Sequence, residues 1–320
     1  MSSGPERTSS DLRPGQPVGP WHEALAYAAP GELAARLAVL VEAAVVAGDP
    51  VMVVLDDATQ QRLHTELGPA AHGVRFLDPA AVHTVPGFTT AVRWTRTSRR
   101  AVVPESRAMI VTQQLLDLPG CGPGYWTRLC AGLEVAGVGL PLTVLCAFLD
   151  EPVGWARVRQ THQVLGTDRG SGPNPDYREP QDVVREHPPP PRSELGPPTA
   201  ELAFRATDLG MLRHLTSEIG GRGGLAAERV ADAVLAVNEL ASNSVEHGPG
   251  TGQLRLWTNG GPWLLAEVSD RGRLTELFPG MVHPSTSGAR GRGLWLASEL
   301  CDVMEVWAED GTVVRLSWLS

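Results

Sequence analysis

The sequence predicts an α/β protein in two parts, and three observations carry that expectation. Between Trp21 and residue 180, apolar β-prone runs alternate with helix-length segments, the pattern of a largely parallel sheet. Between residues 199 and 320, β-rich runs and helical patterns tally as an α/β sandwich of about 120 residues, enough for a small domain with its own core. His187-Pro188-Pro189-Pro190-Pro191-Arg192 stands between them, a stiff run that cannot form a helix. The expected organisation is a leader at 1–19, an N-terminal domain at 20–180, a Pro-rich linker at 181–198 and a C-terminal domain at 199–320.

Taken in order, residues 1–19 are rich in Ser, Gly, Pro and charge, which predicts disorder, and they contain no apolar signal-peptide core. A helix is expected near Gly31 to Ala47, a strand at Val51 to Leu55, a helix near Thr59 to Leu67, and strands at Val74 to Leu77 and Leu142 to Phe148. No P-loop or dinucleotide glycine fingerprint follows any of these strands. His22, His64, His72, His83 and His162, with Cys121, Cys130 and Cys146, are of metal-ligating type. No pair has Cys-x-x-Cys or His-x-x-x-His spacing, so they read as surface histidines and buried free thiols. The four arginines between Arg93 and Arg100 read as a solvated helix face.

The C-terminal part begins with a strand at Ala200 to Phe204 and a helix near Leu209 to Ile219. The next helix places Val230, Val234, Val237, Ala241 and Val245 on one face and Glu239, Asn243 and His247 on roughly the opposite one. It ends at His247-Gly248-Pro249-Gly250, where glycine can adopt the left-handed cap. Mg²⁺ takes oxygen ligands and shares them with phosphates, so the neutral amide of Asn243 suits it, and the carboxylate of Glu239 one turn away can accept a hydroxyl proton. His247 reads either as a phosphate neighbour or as a plain helix C-terminal histidine. A strand at Leu254 to Trp257 follows.

The apolar run Trp263 to Ser269 reads as a strand ending at Asp270, whose carboxylate can accept from the exocyclic amine of adenine. Gly272 permits a tight turn and the approach of a flat ring. Residues 273–290 read as a lid, which leads into Gly291-Arg292-Gly293-Leu294 at the start of a helix reaching Leu300 or Cys301. Backbone N–H groups at such a glycine-flanked helix start attract phosphate. Arg290 and Arg292 either assist or stay solvated. Runs at Val303 to Trp307 and Thr312 to Trp318, joined by Glu309-Asp310-Gly311, predict a hairpin.

In order and spacing, these three motifs resemble the Bergerat-type ATP-binding fold of the GHKL superfamily. The resemblance implies ATP and Mg²⁺ as cofactors, Asn243 as the magnesium ligand and Glu239 as the general base. It also implies nucleotide contacts from His247, Asp270, Gly272, Gly291, Gly293 and Leu294, and from Thr312 near the adenine. The proline run occupies the place of a histidine kinase's dimerisation helices, and with the sequence ending at Ser320 no transducer domain of gyrase-like members is expected. The asparagine motif and Gly291-Arg292-Gly293-Leu294-Trp295-Leu296-Ala297 look most like anti-sigma-factor serine kinases of actinobacterial type. By that resemblance the partners are a sigma factor and an STAS-type anti-sigma-factor antagonist, and the chain is a homodimer.

The N-terminal half resembles the MEDS sensory domain in His22, the Ala47-Gly48-Asp49-Pro50-Val51 turn, Leu145 to Asp150 and Thr161-His162. It departs from that pattern at Ala147 and Phe148, where proline and tyrosine are usual, and at Gln163 in place of proline. A sensory ligand of unknown identity is implied.

A net charge of −9 argues against direct nucleic-acid binding. No apolar run approaches the ~20 residues of a membrane span, and four cysteines without a secretory signal suit the cytoplasm. The expected function is phosphorylation of a serine or threonine on the antagonist under control of the N-terminal domain. The alternatives are a nucleotide-gated binding module without kinase activity and a sensor kinase using His22 or His162 as phosphoacceptor.

Overall fold

The computed structural model describes residues 20–115, 118, 121–122, 124–167, 170–258, 261–284 and 292–319. The expected leader lies outside the described residues. The N-terminal domain runs β1 (Trp21–Tyr27), α1 (Pro30–Val46), β2 (Val51–Val54), α2 (Asp57–Leu67), β3 (Val74–Phe76), α3 (Pro79–Val82), α4 (Gly87–Ala101), β4 (Ala108–Gln113), α5 (Tyr125–Ala136), β5 (Leu142–Leu149), α6 (Pro152–Val158), β6 (Val164–Thr167), β7 (Gly170–Pro173) and α7 (Pro180–Glu186). Its sheet has the order β3-β2-β4-β5-β1-β6-β7. Pairing is parallel until the final β6–β7 hairpin, which is antiparallel.

A parallel sheet is stable only with both faces covered. Leu33, Leu37 and Val41 form the buried stripe of α1, which packs with Leu63 of α2 over Val53 and Val111. On the other face, α4 and α5 place Trp94, Leu129 and Leu133 over Ile110 and Val144. The strand pattern misses β1 because His22 and Glu23 interrupt its apolar run, yet β1 lies inside the sheet between β5 and β6. His22 is fully buried there and Glu23 nearly so.

That burial corrects the reading of the histidines as surface groups. His22, His83 and His162 are buried, whereas His64 and His72 are exposed. It also removes the phosphoacceptor reading, since a histidine with no exposed surface is out of reach of a γ-phosphate. The segment expected as linker from 181 begins as helix α7, whose Val183 and Val184 are buried, and α7 packs against α5.

The C-terminal domain runs β8 (Ala200–Arg205), α8 (Leu209–Arg222), α9 (Ala227–Glu246), β9 (Thr251–Trp257), β10 (Trp263–Asp270), α10 (Arg292–Leu300), β11 (Val303–Trp307) and β12 (Thr312–Leu319). Its antiparallel sheet has the order β11-β12-β10-β9-β8. Alternation along β12 turns Val314, Leu316 and Trp318 into the core beneath the helices and leaves Arg315 for the other face. Arg315 is only 4% exposed, and its Nη2 meets Glu267 Oε2 at 2.8 Å.

The cover on that face is the linker. Arg315 Nη1 donates to Ser193 Oγ at 2.9 Å, Trp307 Nε1 to the Pro190 carbonyl at 2.9 Å and Trp257 Nε1 to the Gly196 carbonyl at 2.8 Å. The proline-rich stretch is thus fastened along the sheet, its carbonyls accepting from two tryptophans.

The two domains share a core. Phe278 and Met281, in the segment after β10, are buried in the cluster built on α4 and α5, and the Phe88 and Phe278 rings lie 5.4 Å apart. Arginines on α4 also correct the solvated-face reading. Arg93 Nε donates to the Asp302 carbonyl at 2.9 Å and Arg96 Nη1 to the Glu299 carbonyl at 2.7 Å. The Glu299 carbonyl is in the last turn of α10, which a helix leaves without internal partners and where its dipole favours positive charge, and Asp302 lies between that helix and β11. Among the described residues no helix is long and apolar enough to cross a membrane.

Replacing Arg315 with methionine strands the buried Glu267 carboxylate beside the more distant Arg192 and Arg255, 3.6 and 3.7 Å away. The expected loss is about 3 kcal/mol by urea unfolding, and the double replacement Glu267→Leu with Arg315→Met is expected to recover most of it.

Candidate nucleotide site

Three segments distant in sequence meet at one end of the C-terminal sheet. β10 delivers Asp270, paired in register with Thr312 at the start of β12. The Asp270 carboxylate accepts from the Gly272 backbone N–H at 2.6 Å through Oδ1 and from Ser244 Oγ at 2.5 Å through Oδ2. Thr312 Oγ1 donates to the Gly272 carbonyl at 3.2 Å. Asp270 is therefore fixed by α9 on one side and its own turn on the other. Each carboxylate oxygen keeps a further lone pair for an exocyclic amine.

Ser244 is the residue that reading the sequence missed. Its neighbour Asn243 attracts attention as a metal ligand, while a buried serine in a helix ordinarily bonds its own i−4 carbonyl. Ser244 does so too, with Leu240 O at 3.3 Å. The available signal was that a serine sits one residue past Asn243 on the face turned toward the sheet.

The buried face of α9 differs from the one expected. Ala233, Ala236, Val237, Leu240, Ala241 and Ser244 are buried, whereas Val230, Val234 and Val245 are only partly so. Val237 and Ala241 of the expected face are fully buried, and the centre of the packed face lies between them and the small Ala233, Ala236 and Ser244. The rotation brings Asn243 to the edge of the packed face. Glu239 and Asn243 are half-buried one turn apart, and His247 stands exposed at the helix C-cap, its N–H donating to Asn243 O at 2.9 Å. The left-handed glycine after the helix is Gly250, at φ +83°, with Gly248 outside that region.

Two glycines of the site serve close approach. A Cβ on Gly272 would lie 2.7 Å from Asp270 Oδ1, and Gly272 does not have a positive φ, so the turn itself does not demand glycine. A Cβ on Gly293 would lie 2.6 Å from Asn243 Nδ2. The start of α10 is thereby pressed against the asparagine, which joins the first and third motifs in space. Arg292 is exposed, Leu294 is half-buried against the C-terminal core, and Arg290 and Gly291 lie outside the described residues.

The segment expected as a lid is in part a packed stem. Gly280 adopts φ +71°, with the Leu294 carbonyl 2.7 Å from where a Cβ would be, and Ser298 Oγ donates to the Gly280 carbonyl at 2.7 Å. Residues 278–281 are buried, while 285–290 lie outside the described residues.

The donor set fits a purine nucleotide with a hard cation. It combines a carboxylate at a strand end, an amide at the mouth of a glycine-flanked helix start and a nearby glutamate. Residues 202–318 match the family model described as a histidine kinase-like ATPase domain. The C-terminal domain is accordingly a GHKL-type α/β sandwich, and that domain type implies ATP binding, typically with Mg²⁺. No curated protein matches the chain.

Gly293→Ala is expected to push the Asn243 amide out of place. Overpacking of this kind costs about 1–3 kcal/mol, so ATP·Mg²⁺ affinity should fall about tenfold or more by calorimetric titration. Binding of ATP in the presence of a chelator should change less.

Proposed function

We propose that this chain is an ATP-dependent protein serine/threonine kinase of the anti-sigma-factor type, acting in the cytoplasm, with a MEDS-like sensory domain in front of it. The observation that carries the reading is the convergence of Asn243, Ser244, Asp270, Gly272, Gly293 and Thr312 at one sheet end within a histidine kinase-like ATPase domain. The branch is favoured by the segment at 187–198. It lies along the sheet, tied to Trp257, Trp307 and Arg315, in the position a histidine kinase fills with dimerisation helices.

In this reading Asp270 selects adenine through its amine and Asn243 holds the cation. Bound Mg²⁺ supplies charge neutralisation across the phosphates. Amides at the start of α10 face the phosphate charge. Glu239 accepts the proton of the antagonist's hydroxyl as its oxygen forms the new bond to the γ-phosphorus and the bond to ADP breaks. The sigma factor and the STAS-type antagonist are the proposed partners.

One observation favours a second reading, a nucleotide-gated binding module without transfer activity. The stem of the lid, Phe278 and Met281, is buried against α4 and α5, so ordering the lid acts directly on the N-terminal domain. An interdomain cleft of about 320 Å³, lined by residues including Phe88, Arg128, Leu277 and Trp307, gives a small signal molecule access to that stem.

The deciding experiment is transfer of labelled γ-phosphate from ATP·Mg²⁺ to the small antagonist-type proteins of the host. Acid-stable label is expected, abolished by Asn243→Ala and reduced about 10²–10⁴-fold by Glu239→Ala. ATP binding without label would select the gated module, and no ATP binding would overturn both readings.

A further inference from the structure

The N-terminal sheet contains a second polar centre, unconnected with the nucleotide site. His22 on β1, Cys130 on α5, Cys146 on β5 and His162 in the turn before β6 each offer one ligand atom, and these four atoms lie within 4.8 Å of one another. All four residues are between 0% and 1% exposed. Polar side chains gathered in a dry interior cost free energy unless something binds them together. We propose that these four side chains form a closed tetrahedral site for one zinc ion.

The geometry is that of a ligand shell. His22 Nε2 lies 3.3 Å from Cys146 Sγ, and His162 Nε2 lies 3.7 Å from Cys130 Sγ. Zinc bonds of ~2.0–2.1 Å to nitrogen and ~2.3 Å to sulfur at tetrahedral angles give a nitrogen–sulfur edge of about 3.6 Å. The two observed edges bracket that value.

The outer shell points the same way. A metal-bound histidine donates its other ring N–H to a carboxylate or a carbonyl, which fixes the tautomer and aims the free lone pair at the metal. His22 Nδ1 meets Glu134 Oε1 at 3.1 Å, and His162 Nδ1 meets the Val158 carbonyl at 3.1 Å beside the Thr161 hydroxyl at 3.0 Å, to which it can also donate. Both Nε2 atoms therefore face the thiols. Glu134 is itself held by Tyr177 Oη at 2.6 Å and Gln163 Nε2 at 2.9 Å. A pair of thiols that merely forms a disulfide has no need of two histidines oriented this way.

Two thiolates balance the charge of a divalent ion, and two sulfurs with two imidazoles are a donor set that suits zinc over harder cations. With four protein ligands and no exposed surface, the site leaves no position for a substrate and is structural in type. It ties β1 and β5 to α5, the helix that carries the lid contact at Gly132. The ligands come from four separate segments, which is why no local spacing in the sequence announces them.

The test uses the full chain purified under reducing conditions, with metal content measured by plasma mass spectrometry and the stripped chain titrated with Co²⁺. About one zinc per chain is expected, and cobalt should give the intense d–d bands and thiolate charge-transfer band of a tetrahedral S₂N₂ site. Cys130→Ser and Cys146→Ser should each lose the charge-transfer intensity and the bound zinc, while Cys301→Ser should keep both. Should the ligand variants fail to fold, the cobalt spectrum of the unaltered chain decides alone. A folded chain, judged by circular dichroism, that takes up neither metal after full reduction would overturn the proposal, as would a six-coordinate cobalt spectrum without sulfur bands. A Cys130–Cys146 disulfide whose reduction yields no metal binding would do the same and would assign the pair to thiol redox chemistry.

Discussion

Burial of Phe278 and Met281 between the domains is the contact on which the rest of the arrangement depends. The segment that carries them follows β10, and at Gly280 it packs against Leu294 and Ser298 of α10, the helix whose Gly293 meets Asn243. Gly132 on α5 makes room for it. A Cβ there would lie 2.8 Å from Met281 Cε and 3.0 Å from Ala91 Cβ, so α4, α5 and the stem close on a point where a larger residue would make Met281 shift. The close packing of interiors makes such a point unforgiving, since a single methyl group is felt by all three elements. Arg93 and Arg96 then fix the far end of α10 to the same helix pair, so the helix that begins beside Asn243 ends on the neighbouring domain.

Much of the C-terminal domain was legible because its information is local. Asp270 closes a short apolar strand, Glu309-Asp310-Gly311 announces a hairpin turn, and Gly291 and Gly293 flank a helix start. The path of the chain through the rest is set by contacts between distant residues. Periodicity put Val237 and Ala241 of α9 inward, where they are buried, but the neighbouring sheet turns the helix so that Ala233, Ala236 and Ser244 are buried with them while Val230, Val234 and Val245 lie at the edge. β1 escaped notice because an interior strand with His22 and Glu23 violates the apolar pattern, and besides the local Trp21 bond to Glu23 their partners lie more than a hundred residues away on α5, β5 and β7. The arginines of α4 looked like solvent charges because nothing on their own helix needs them. The acceptors of Arg93 and Arg96 are carbonyls of Asp302 and of the end of α10, about two hundred residues further on, while Arg100 is exposed as expected.

The buried Glu267–Arg315 pair is a similar case. Alternation along β10 and β12 puts both residues on the face away from the helices, which in an antiparallel sheet ordinarily meets water. Here Ser193 and its neighbours cover it, and the ion pair is retained with its hydrogen bonds satisfied on both sides. The linker thus serves as the third layer of the domain.

That third layer changes what kind of connection the linker is. A loose tether lets two domains explore each other at an effective concentration set by its length and stiffness, and lengthening it weakens their encounter only gradually. A strap pinned at Pro190, Ser193 and Gly196 has no such freedom. It behaves as a splint, keeping the N-terminal sheet and the nucleotide pocket at one relative angle. The arm and the shared core at Phe278 and Met281 hold the two halves together at two places, so a flexible insertion between the pinned carbonyls would loosen one attachment and leave the other.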